Sequence, residues 1–114
     1  MDVTFDEQAD LTVVCHLRGD LEQLTVTQFR ERVGLVPPGR PMVLDLSGVP
    51  FIGSAGIGAL IGTVRRARES GSHVTLCCPR PSVRRALCVV GLFRLVEIAD
   101  TVPAGAHAVP AAPA

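Results

Sequence analysis

The chain contains no lysine, no tryptophan and no tyrosine, and four phenylalanines are all it has of the larger aromatic side chains. Without lysine there is no Schiff-base chemistry and no phosphate-loop lysine. With so few aromatics, stacking on bases or sugars has almost nothing to work with. Neither sign of charge is in excess, since eleven arginines balance eleven Asp and Glu. Long-range attraction to nucleic acid or to an anionic membrane is therefore not expected. No apolar run reaches the ~18 residues that would cross a bilayer. The first ten residues are acidic rather than basic and apolar, unlike a secretory signal, so a cytoplasmic protein is expected. The four cysteines, Cys15, Cys77, Cys78 and Cys88, lack C-x-x-C spacing and are expected to be reduced and buried. Cys77 and Cys78 are neighbours, so on a strand they point to opposite faces and do not clasp one metal.

What is present suits one domain. A chain of 114 residues builds a single core, and 47% hydrophobic residues give it a packed, aliphatic interior. Residues 3–7 read as a short edge strand, and residues 11–18 (LTVVCHLR) as a β-branched strand. A turn, Gly19-Asp20-Leu21-Glu22, follows. Thr25 and Gln28 match a capping box, and Val26, Phe29 and Val33 give a helical stripe that Gly34 ends. Residues 42–46 read as a strand buried on both faces, with Asp45 held by hydrogen bonds from the next turn.

Ile57, Leu60, Ile61 and Val64 then mark one face of a helix. Residues 73–77 form another strand. Pro81 opens a third helix with a stripe of Val83, Leu87 and Val90, and residues 95–98 a last short strand. Arg65, Arg66, Arg68, Arg84 and Arg85 are expected on solvated helix faces. The order β-β-α-β-α-β-α-β predicts a small α/β domain with a mostly parallel or mixed sheet of four or five strands. It occupies residues 1–102, and the Pro/Ala-rich residues 103–114 form a loosely ordered tail.

Ser54 stands where the longest helix begins, just past a strand and among the glycines Gly53, Gly56 and Gly58. There the first backbone N–H groups lack intrahelical partners and the helix dipole is positive. A phosphate on Ser54 would be held by those groups and would change the charge of its surface. The plain alternative is an N-cap serine. The glycines do not make a Walker loop, which needs G-K-[ST], and Gly56, Gly58 and Gly62 miss the dinucleotide spacing. A nucleophile elbow needs G-x-S-x-G, but position 52 is Ile. His16 and His73 fall in strands and His107 in the tail, so none is placed as a base for Ser54. Asp20 and Glu22 follow a strand, at the same end of the sheet as Ser54. Beyond the strand C-termini lies the usual functional edge of an open α/β fold.

Four segments in this order carry a resemblance: Gly19-Asp20-Leu21-Glu22; Val43-Leu44-Asp45-Leu46-Ser47-Gly48-Val49; Phe51-Ile52-Gly53-Ser54-Ala55-Gly56-Ile57-Gly58; and residues 83–93, ending Gly91-Leu92-Phe93. Over about residues 3–100 the chain resembles the STAS-domain family, and within it the bacterial anti-sigma factor antagonists. The resemblance implies a STAS-like fold and no enzymatic activity or cofactor. It also implies binding to an anti-sigma factor that is a serine kinase, with release of a sigma factor. Phosphorylation of Ser54 then breaks the pair, and a phosphatase resets it. It places the partner surface on Asp20, Leu21, Glu22, Gly53, Ser54, Ala55, Gly56, Ile57 and Gly58, in a monomer or weak dimer.

Three positions depart from the family's pattern. Gly53 stands where many members carry Asp, Ala55 where Ser or Thr is frequent, and Glu22 where Asp is common. Two other readings stay open: an unphosphorylated interaction scaffold in a transport or stress-signalling complex, and a small ligand- or redox-sensing module. Gly56 and Gly58 are expected to let a partner backbone approach Ser54.

Overall fold

The computed structural model describes residues 1–102, and the expected tail of residues 103–114 lies outside them. Alternation along the strands decides which residues meet the helices. β1 (Asp2–Glu7), β2 (Val13–Arg18), β3 (Met42–Gly48), β4 (Val74–Cys77) and β5 (Glu97–Ala99) form one mixed sheet in the order β1-β2-β3-β4-β5. β1 pairs antiparallel with β2, and the other pairs are parallel. Cys15 and Leu17 of β2, Leu44 and Leu46 of β3, and Leu76 of β4 point to one face. There they pack against α1 (Val26–Val33), α2 (Ser54–Glu69) and α3 (Pro81–Val89).

The helix stripes are those the spacing predicts in α1, where Val26, Phe29 and Val33 are buried, and in α2, where Leu60 and Val64 are. Ile57 and Ile61 lie half-buried along the edge of that stripe. Leu60 is fully enclosed, and truncating such a side chain costs about 2–5 kcal/mol. On the opposite face Val14, Val43 and Cys77 form a second small cluster, against which Val102 packs. Cys77 and Cys78 do face opposite ways, into the two clusters.

Several local expectations need correction. β2 begins at Val13 rather than at residue 11, because Leu11 adopts a φ of 70° in the β1–β2 turn. The capping box does not form. The Thr25 hydroxyl accepts from the Glu22 N–H (3.1 Å) and donates to the Asp20 carbonyl (2.7 Å), so it organises the preceding turn instead. Val90 is exposed, since α3 ends at Val89 and the chain turns at Gly91 (φ 75°) into a short 3-10 segment, Leu92–Arg94, that buries Leu92. Cys88 is exposed while the other three thiols are buried. Arg84 is half-buried and holds the Asp100 carboxylate and the Ile98 carbonyl.

Candidate functional site

Two loops at the C-terminal end of the parallel strands build the site. After β2 the chain turns at Gly19, whose φ of 109° favours glycine, and whose N–H donates to the Gly48 carbonyl at 3.0 Å. Leu21 then pairs with the loop after β3. Its N–H donates to the Phe51 carbonyl (3.0 Å), and its carbonyl accepts from the Gly53 N–H (2.9 Å). A parallel bridge between Leu21 and Ile52 extends the β2–β3 pairing into the two loops. Asp20, Glu22 and Ser54 are thereby carried by one braced surface, as their positions in the sequence predicted.

Gly53 is the N-cap of α2 in extended backbone (φ −97°, ψ 176°), and Ser54 is the first helical residue. Ser54 is therefore not an N-cap serine. No side chain caps this helix, and Ser54 is exposed. The first helical bond runs from the Ile57 N–H to the Gly53 carbonyl (2.9 Å), so the N–H groups of the first turn before it have no intrahelical partner. Glu22 is half-buried beside Gly53. A Cβ built on Gly53 would stand 3.3 Å from the Glu22 Cβ and 3.5 Å from the Phe51 ring. The Glu22 carboxylate turns away to accept the Leu24 N–H at 2.7 Å.

Two of the predicted contact residues take a different part. Leu21 is fully enclosed, and Gly56 is buried beneath it. A Cβ on Gly56 would lie 2.9 Å from both the carbonyl carbon and Cγ of Leu21. Gly56 is thus small to admit Leu21, not to admit a partner. Gly58 is exposed, with open space where its side chain would stand. Ala55 and Ile57 are half-buried.

Leu24 and Phe51 are not among the contact residues expected from the sequence. Leu24 is 86% exposed and Phe51 55% exposed, and each lies on one of the two joined loops. Their signal was available: both are large apolar residues in turns, off the stripes that fill the core. The Thr25 and Glu22 hydrogen bonds fix the turn that holds Leu24 out.

His16, a strand histidine as expected, bridges two carboxylates. Its Nδ1 lies 2.7 Å from Asp45 and its Nε2 2.9 Å from Asp6. Both ring nitrogens are engaged there, so His16 is not available as a base for Ser54. Asp45 also accepts the Ser47 N–H at 3.0 Å, the turn bond expected of it. Burial pushes the Cys15 and Cys77 thiols up to about 12, which opposes thiolate chemistry at both. Among the described residues no group of three or more His, Cys, Asp or Glu is placed to hold a metal, and no helix is long and apolar enough to cross a membrane.

Over most of its length the chain is similar to anti-sigma factor antagonists. The chain is 28% identical over 91 residues to an anti-sigma F factor antagonist of Paenibacillus polymyxa, covering 77% of this chain and 78% of that one. The crystal structure of an anti-sigma factor antagonist from Mycobacterium paratuberculosis superposes with a TM-score of 0.73 at 25% identity, covering 89% of this chain and 86% of that one. The phosphorylated form of the Bacillus cell fate determinant SpoIIAA shares the fold, with a TM-score of 0.64 at 21% identity over 86% of this chain and 91% of that one. The family model for the STAS domain matches residues 3–105, and the chain belongs to that family.

Proposed function

We propose that this protein is an anti-sigma factor antagonist that binds a kinase-type anti-sigma factor and is released from it when Ser54 is phosphorylated. The observation that carries this reading is the exposed Ser54 at the first position of α2, on a surface braced by Leu21. The relatives' names support it, and SpoIIAA, which shares the fold, is known in a phosphorylated form. A phosphate there adds about −1.5 to −2 charge. In the free protein the helix N-terminus and water stabilise it. Inside an interface without a matching cation the same dianion is desolvated, which favours separation. The partner surface in this reading comprises Asp20, Glu22, Gly53, Ser54, Ala55, Ile57 and Gly58 with the exposed apolar Leu24 and Phe51, and Leu21 and Gly56 are its support.

Wild type and Ser54→Asp used side by side as baits in lysate of the source organism test this reading. A small ATP-binding kinase should be held by wild type and lost with Ser54→Asp, and purified kinase should phosphorylate Ser54 but not Ser54→Ala. Equal retention by both baits would overturn the switch. One observation favours the second reading, a constitutive scaffold: Gly53 leaves no carboxylate directly before Ser54. That reading expects the same partners on both baits and no phosphate on Ser54.

A further inference from the structure

The sheet face turned away from the helices carries an ionisable cluster that the proposed switch does not use. His16 of β2 lies opposite Thr4 of β1 and Asp45 of β3. Its two ring nitrogens meet two different carboxylates, Nδ1 at 2.7 Å from Asp45 and Nε2 at 2.9 Å from Asp6. A neutral imidazole has one N–H and one lone pair, so it can donate to only one of them and turns its lone pair on the other. Imidazolium donates to both. The three residues lie on three adjacent strands, and β1 is the edge of the sheet.

The two arms are unequal. The Asp45 side chain is 12% exposed, and its other oxygen accepts from the Ser47 N–H. The Asp6 side chain is 69% exposed, so water can replace His16 there with little loss. Other groups on this face are Arg18, two residues along β2, with Asp2 paired across from it on β1, and Cys77, paired with Asp45 on β4. Asp100 reaches Cys77 only through its backbone carbonyl, 3.7 Å from the thiol.

We propose that protonated His16 is a latch fastening the edge strand β1 to the centre of the sheet, and that deprotonation opens the Asp6 arm first. Burial alone lowers the His16 pKa, but the hydrogen bonds and charges of Asp45 and Asp6 outweigh it and hold the group above 6.5. A raised histidine pKa stabilises the fold fully below the unfolded value, and that contribution is lost as pH rises through the folded value. The window therefore opens above pH 6.5. Two other ties on β1 do not involve His16: the Arg32 guanidinium on the Val3 carbonyl (3.0 Å), and the Arg40–Glu7 ion pair (2.6 Å). Deprotonation thus loosens β1 without freeing it.

The test follows the His16 ring resonances by NMR from pH 5 to 9, together with amide exchange of β1 and β3 corrected for its intrinsic pH dependence. The His16 midpoint should lie above 6.5. β1 protection should fall by about two- to fivefold across that midpoint, the size of one exposed ion pair, while β3 keeps its protection. Asp6→Asn, on an exposed side chain, should lower the midpoint and remove the pH dependence of β1 exchange. A His16 midpoint at or below 6.5 would overturn the latch, as would β1 protection that ignores the His16 titration.

Discussion

The carbonyl group of Leu21 occupies the space in which a side chain on Gly56 would have to begin. One contact thus ties the turn after β2 to the first turn of α2. Gly56→Ala should strain it, lowering stability by about 1–3 kcal/mol as overpacked sites do. Gly58→Ala, with nothing within 4 Å of its new Cβ, should stabilise by up to ~1 kcal/mol through helix propensity. Thermal melts of the two variants should move in opposite directions. Equal shifts would mean that the Leu21 contact yields freely.

Gly53→Asp places a carboxylate directly before Ser54, but it brings a Cβ to 3.3 Å from that of Glu22 and adds a second acid next to that residue. A loss of about 1 kcal/mol in stability is expected. Adding Glu22→Gln should recover part of it, since the amide oxygen can still accept the Leu24 N–H. Urea denaturation of the single and double variants measures this. If the switch operates, Gly53→Asp should also raise the rate of Ser54 phosphorylation.

Leu24 and Phe51 are exposed, so Leu24→Ser and Phe51→Ser should change stability by no more than about 0.5 kcal/mol. Their affinity for the anti-sigma partner should nevertheless fall tenfold or more, about 1.4 kcal/mol, as for apolar anchors at the centre of an interface. Leu35→Ser serves as the control. Leu35 is equally apolar and 66% exposed, but it follows the far end of α1. Titration calorimetry with the purified partner should separate the three.

Acid should reach the fold through Asp45. Burial pushes its pKa up, but the hydrogen bonds from Ser47 and His16 and the His16 charge prevail and hold it below 3.8. A depressed carboxylate contributes stability above its unfolded value and loses it as pH falls through the folded one. Asp45→Asn should therefore flatten the stability profile below about pH 4 and destabilise the protein at neutrality. Denaturant midpoints measured between pH 2 and 7 would show both.

Periodicity carried much of the fold into view. Leu60 and Val64 sit in the core where their spacing put them, and Asp45 accepts its turn N–H as an acid in an apolar strand must. What stayed hidden depends on register and on competition between partners. His16 and Asp45 are 29 residues apart, and only the alignment of β2 on β3 sets them opposite each other. Thr25 looked like a helix cap because its hydroxyl suits one, yet the turn beside it offered two better partners. Gly56 looked like an opening for a visitor because a glycine's absent side chain does not say which neighbour fills the gap. Leu24 was overlooked because a single exposed leucine is ordinary in a sequence and notable only when a fixed turn holds it out.

The bracing of the two loops has a consequence for how any message at Ser54 is written. With Leu21 locked between Phe51, Gly53 and Gly56, the surface has little room to change shape, and the proposed phosphate on Ser54 would act through its own charge and bulk. In the proposed switch a partner would discriminate largely by electrostatics, with little reorganisation cost on this side. Such discrimination is sensitive to dissolved ions. Between low salt and physiological salt the Debye length shrinks to about 8 Å, and the gap in affinity between the two forms should narrow with it.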